Sequence, residues 1–284
     1  MPAGETMEQT FGSYLYYSGT TFFTLGYGDL VPTSAAARAA AVMEAGVGFG
    51  FLAIVISYLP VLYQAFSRRE ITISLLDARA GSPPSVGGLL ARLPAAVSQT
   101  SIDQLLVEWE RWAAELLESH LSYPVLRFYR SQHDNQSWVA ALTTILDASA
   151  TLIACGQEGR AASAAHVCHG PACGAVDIAL LAYTPPRAPH ADRLPAANCA
   201  RLFDSLQKAG LAERDAATFM QVIGELRGLY EPFVQALATN LLLELPAFLP
   251  DKPPVDNWQT SAWMRRSPGL GDLSSVVRQD SHFD

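Results

Sequence analysis

Residues 21–32 read Thr21-Phe22-Phe23-Thr24-Leu25-Gly26-Tyr27-Gly28-Asp29-Leu30-Val31-Pro32, and the six from Thr24 to Asp29 decide how the rest is read. Gly26 and Gly28 lack a Cβ, so each can take a positive φ and let successive carbonyl oxygens turn toward one side of the backbone. A run of L-residues alone resists that geometry.

The flanking sequence sets this segment between two apolar stretches. Phe11–Phe23 is apolar and aromatic, with Gly12 and Ser13 as expected N-caps. It is too short to cross a bilayer. As a re-entrant helix, its C-terminal end would aim partial negative charge at the start of the glycine segment. Tyr16 and Tyr17 are then expected to pack against that segment. On the other side, Ala39–Tyr63 is a run of about 25 residues whose sole charge is Glu44, enough for a tilted transmembrane helix. A lone intramembrane carboxyl is costly, so Glu44 is expected to pair near the glycine segment rather than bind an ion. Arg68 and Arg69 follow the run, and Glu5 and Glu8 lie on the opposite side. The positive-inside bias therefore assigns the remainder of the chain to the cytoplasm.

Over roughly residues 11–66 the chain resembles the prokaryotic two-transmembrane potassium channels. That resemblance implies a selectivity filter formed by Thr24, Leu25, Gly26, Tyr27, Gly28 and Asp29 in a homotetramer within the cell (inner) membrane. K+ is the implied permeant ion and no cofactor is implied. Rings of carbonyl oxygens would replace the hydration shell of the ion, and Asp29 would brace the outer mouth. Thr21 falls at the first threonine of the family signature and Arg38 at a basic position of the inner helix. Gly48 falls at the gating-hinge position, although Gly46, Gly48 and Gly50 equally suit close helix packing. Pro60 would kink the inner helix or end the span. Thr20 stands where some members carry a glutamate behind the filter, and Leu25 replaces the commoner valine or isoleucine. The family also has an outer helix before the pore helix. Residues 1–10 read as a turret loop, so the expectation is a fragment or a truncated gene. The alternative is a non-conducting subunit or cytoplasmic sensor module that modulates full-length channels.

The 284 residues accommodate a membrane segment and one further domain. The net charge of −8 speaks against a nucleic-acid surface, which needs a basic patch. The expected division is a channel module at 1–66, a junction at 67–100, an all-α cytoplasmic bundle at 101–249 and a loosely ordered tail at 250–284. Ile71–Ala80 can continue as a short helix before Gly81, Pro83, Pro84, Gly87 and Gly88. Ser101 and Gln104 have capping-box spacing ahead of a stripe at Leu105, Leu106, Trp109, Trp112 and Leu116. Further helices are expected near 136–154, 175–182, 196–209 and 215–245, the last with a possible break at Pro232. Residues 184–195 contain four prolines and read as an exposed connection. Trp258 and Trp263 in the tail are candidates to dock on the bundle or the membrane interface.

The densest chemical cluster outside the pore is His166, Cys168, His169 and Cys173, a possible metal or redox-sensing site with no standard zinc spacing. The competing reading is a helix end or loop with incidental cysteines. Cys155, Cys168, Cys173 and Cys199 all lie in the part assigned to a reducing compartment, so no disulfide framework is expected. No G-x-G-x-x-G turn and no ladder of arginines is present, which leaves the gating regulator unidentified. No nucleophile, base and orienting group are placed together by spacing, and an enzyme is not expected.

Overall fold

The computed structural model describes residues 10–92, 99–131, 136–181 and 191–250. The turret reading of residues 1–9, the prolines at 185, 186 and 189, and the tail tryptophans lie outside the described residues. Those described are all-α without a β-strand. The chain divides into two compact units, Met1–Gln64 and Ala65–Asp284.

In the first unit, α1 (Phe11–Phe22) opens on Thr10 rather than on Gly12 or Ser13. The Thr10 side chain accepts from the Ser13 amide, and the Thr10 amide donates to Ser13 Oγ at 2.9 Å, a reciprocal capping box. Helix α2 (Ala35–Ala80) begins four residues before the expected span. Ser34 Oγ accepts from the Ala37 amide at 3.1 Å, and the alanines that follow favour helix strongly. Pro60 lies inside α2 without ending it. Among the described residues, two helices are long and apolar enough to cross a membrane, and burial separates them. The apolar window of α2 is 11% buried, whereas that of α5 (Trp138–Cys155) is 89% buried. The exposed side chains of α2 include Val42, Met43, Val47, Phe49, Ile54 and Ile56, which need lipid or further copies of the chain to cover them.

The second unit is built around α5, of whose 18 residues sixteen are buried. It packs against α6 (Glu158–Leu181) and α8 (Ala216–Leu241), while α4 (Gln99–Ser122) covers α6. A 3-10 turn at Pro124–Phe128 follows α4, and α7 (Ala196–Lys208) lies on α8. Because α5 is buried on all sides, its hydroxyls turn back onto its own carbonyls. Thr143 Oγ1 donates to Val139 O at 2.7 Å and Thr151 Oγ1 to Asp147 O at 2.7 Å. The expected junction is a correction. Ile73, Leu76, Ala80, Val86 and Leu89 are buried in the core of this unit, so the end of α2 and α3 (Val86–Arg92) are part of it rather than a linker. Helix α2 stops where Gly81 takes a φ of 88° and its amide closes on Asp77 O at 2.8 Å.

The exposed connection expected at 184–195 is also corrected at its end. Leu194 is buried, and Arg193 is held among two carboxylates. Its guanidinium forks onto Asp147 at 2.9 and 3.0 Å and onto Glu231 at 2.6 and 2.7 Å, and also donates to Pro246 O at 3.0 Å. Tyr230 Oη donates to Asp147 Oδ1 at 2.6 Å. Every N–H of the fork is used, which is the condition under which a buried ion pair is tolerated. Burial alone would raise the Glu231 carboxyl, but the hydrogen bonds and charge of Arg193 outweigh it and hold it below the usual range. The same two carboxylates outweigh burial at Arg193 and hold its proton more firmly.

Candidate ion pathway

The segment after α1 is shaped by where its amides go. Thr24 N–H donates to Thr21 O at 3.0 Å, while Leu25 and Gly26 both donate to Thr20 O, at 2.8 and 3.3 Å. These peptides are trans, and a trans peptide points its N–H and the preceding carbonyl in opposite directions. The carbonyls of Phe23, Thr24 and Leu25 therefore all face away from the end of α1. Thr24, Gly26 and Gly28 have φ values of 57°, 52° and 81°, so every second residue is left-handed. Sequence reasoning assigned this freedom to the glycines alone and missed Thr24, because a β-branched residue is a rare occupant of that region. An outlier of this kind persists only where its surroundings hold it, and functional sites are where such outliers cluster.

Behind the segment, Thr20 is buried, with its hydroxyl on Tyr17 O at 2.9 Å and its carbonyl holding the amides of Leu25 and Gly26. A main-chain oxygen thus supports the segment where a carboxyl is absent. Asp29 is braced locally, since Leu30 N–H donates to its Oδ1 at 3.1 Å. Glu44 accepts a hydrogen bond from the Ser18 hydroxyl, a partner on α1 that spacing alone did not single out. Gly48 meets α1 at close range. A Cβ there would lie 1.9 Å from Phe22 O, whereas Gly46 and Gly50 have open space. The Phe22 and Phe51 rings pack nearby, with centroids 6.3 Å apart. The absent side chain of Gly48 thus lets α2 support the end of α1, one residue before the chain turns.

Helix α6 runs through His166, Cys168, His169 and Cys173 without a break at Gly170-Pro171. His166 is exposed and Cys168 buried, so these two do not converge. The side chains of His169 and Cys173 lie outside the described residues. Burial pushes the Cys168 thiol up to about 11, which makes it a poor thiolate donor at neutral pH. Among the described residues no group of three or more His, Cys, Asp or Glu side chains is arranged to hold a metal.

Residues 3–64 match a family model described as an ion channel. The ion-channel match covers α1, the glycine segment and the apolar part of α2, and so includes the three carbonyls that face away from the end of α1. A relative, "Uncharacterized membrane protein YdjJ" of Bacillus subtilis (strain 168), is 27% identical over 143 residues, covering 50% of this chain and 40% of that protein. The chain thus spans well under two thirds of the length of the curated relative it matches. No solved structure matches it significantly. The ion-channel match, the membrane relative and the exposed apolar surface of α2 together support a membrane location.

Proposed function

We propose that the chain is a pore-forming subunit of a tetrameric, potassium-selective channel that passes ions passively down their electrochemical gradient. The observation that carries this is the row of carbonyls at Phe23, Thr24 and Leu25, fixed by amides that are already bonded to the end of α1. Carbonyls held in this way need no reorganisation when they replace the water of a cation, and the negative end of α1 adds a favourable field. Four copies around an axis would close rings from Thr24, Leu25, Gly26, Tyr27 and Gly28. Asp29 would set the charge of the mouth.

The second unit is assigned to the cytoplasm, where it would act on the pore through α2. The exposed Arg68 supports that orientation by the positive-inside bias. Arg69 contributes less than its sequence position suggests, because it is buried and donates to Leu126 O and Tyr129 O at 3.0 and 2.7 Å. Gating is assigned to α2, with Gly48 as the point where its movement would reach the filter and Pro60 as the site of bending, since proline there leaves one carbonyl of the preceding turn unbonded.

The test is reconstitution of the full gene product with measurement of reversal potential between potassium and sodium. Gly26→Ala and Gly28→Ala, at left-handed φ values, are expected to abolish selective conduction while the second unit keeps its helical content. Unchanged reversal potentials in either variant would rule the assignment out.

A further inference from the structure

We propose that the groove between the end of α2 and α4 is a docking site for the chain's own C-terminal segment, residues 258–266, which carries Trp258, Trp263, Met264, Arg265 and Arg266. The groove has a volume of about 240 Å³, and its apolar bed is made by Leu75 and Leu76 of α2 with Val107, Trp109 and Trp112 of α4. Both walls belong to the second unit.

The bed is uncovered along both walls. Leu75 is 52% exposed and Val107 56% exposed, whereas Trp109 and Trp112 are buried beneath. Apolar side chains scattered singly over a surface need no explanation, but two that flank one groove between helices mark a place of contact. Charged groups edge the bed. Arg79 Nη1 donates to Glu108 Oε2 at 3.1 Å from one wall to the other, and Arg111 and Glu115 also line the space.

The route of the chain and the charge of α4 choose the occupant. Gly87 N–H donates to Phe248 O at 3.1 Å, and Leu249 and Pro250 lie over Gly87 at the start of α3. Gly88 in turn packs so closely on Ala80 O, at the last residue of α2, that a Cβ there would overlap it. The chain beyond Pro250 therefore starts beside the end of the helix that forms one wall. Leu75 stands about 7.5 Å back along that helix from Ala80, and the residues from Pro250 to Trp258 span up to about 26 Å when extended. Reach is ample. Among the described residues, the exposed ionic side chains of α4 are Glu108, Glu110, Arg111, Glu115 and Glu118, a mostly acidic set. A second copy of this face would set acids against acids, whereas Arg265 and Arg266 complement them. A tryptophan needs an apolar bed and an acceptor for its indole N–H, and the Glu115 carboxylate in the wall supplies the acceptor.

A segment seated there would lie across α2 and α4 and brace the last turns of α2 against the second core. The site draws on the second unit alone, so it and ion selectivity can fail separately. The test is hydrogen–deuterium exchange of the full chain in neutral detergent, read by mass spectrometry over residues 258–266. Amides of this segment are expected to exchange about tenfold or more slowly than an unstructured chain of the same sequence. Leu75→Ser with Val107→Ser, both at exposed positions, is expected to remove that protection, and Arg265→Glu with Arg266→Glu to lower it severalfold. Exchange at the unstructured rate in the unaltered chain would overturn the proposal, as would protection that either pair of substitutions leaves intact. Protection that arises only on adding anionic vesicles assigns the segment to a membrane surface, and protection that grows with protein concentration assigns it to a second copy. Each of these also overturns the site. Circular dichroism checks folding. Should the groove variant lose helix, Trp258→Ser with Trp263→Ser takes its place, and a folded form of that variant with full protection is equally decisive against docking.

Discussion

Gly48 and Thr24 carry their information in the backbone rather than in a functional group. At Gly48 a methyl group would overlap Phe22 O at 1.9 Å, and the obstacle is main chain that cannot swing aside. Gly48→Ala is therefore expected to displace the end of α1 and abolish conduction, while Gly46→Ala and Gly50→Ala, which meet nothing within 4 Å, leave single-channel conductance unchanged. Glu44→Gln tests the pairing with Ser18. The amide still accepts that hydrogen bond, so conduction is expected to survive, whereas Glu44→Leu leaves the Ser18 hydroxyl without its acceptor and is expected to lower the melting temperature of the full chain in detergent. The positive φ of Gly26 and Gly28 was legible, because glycine takes that conformation without a steric cost. Thr24 was not legible. Nothing in a threonine announces that its neighbours will hold it left-handed.

At the scale of elements, the helices legible in sequence were those with an amphipathic stripe, and the poorly legible ones were held by their surroundings. Helix α6 was expected only at 175–182 because Gly170 and Pro171 read as a break, yet packing against α4 and α5 carries it from Glu158 to Leu181. Helix α8 likewise continues through Pro232. Arg193 was hidden in a proline-rich stretch, and its partners stand 46 and 38 residues away along the chain. The available signal was Asp147, a carboxylate in the apolar sequence Val139–Ile153 that demands a buried cation. Removing that cation is expected to be severe. Arg193→Met should destabilise the second unit by about 3–5 kcal/mol, because it strands Asp147 and Glu231 together. Tyr230→Phe should cost about 1–2 kcal/mol, and chemical denaturation followed by tryptophan fluorescence measures both.

At the scale of the whole molecule, stability should depend on acidity through His120. Burial lowers this imidazole from its ordinary value to about 4, and the neighbouring Arg69 and Arg127 add to the effect against the hydrogen bond to Leu116 O at 2.7 Å. The ring also packs against Trp138 at a tilt, with centroids 4.8 Å apart. The unfolded chain takes up a proton near pH 6.5 and the folded one near 4, so folding loses stability as pH falls between those values, on the order of 3 kcal/mol in all. Thermal melts of the full chain at pH 7.5 and 4.5 should show the loss, and His120→Leu should flatten it.

The last residues of α2 impose an order on biogenesis. Ile73, Leu76 and Ala80 complete a core whose other half, α5 and α8, leaves the ribosome only after many further residues have been made. During that interval the apolar portion of the helix can already be entering the bilayer while its distal turns wait uncovered in water. Closure of the second core therefore waits on the synthesis of α5 and α8, and a synthesis pause placed after codon 80 would lengthen the time in which those turns are open to proteases and chaperones.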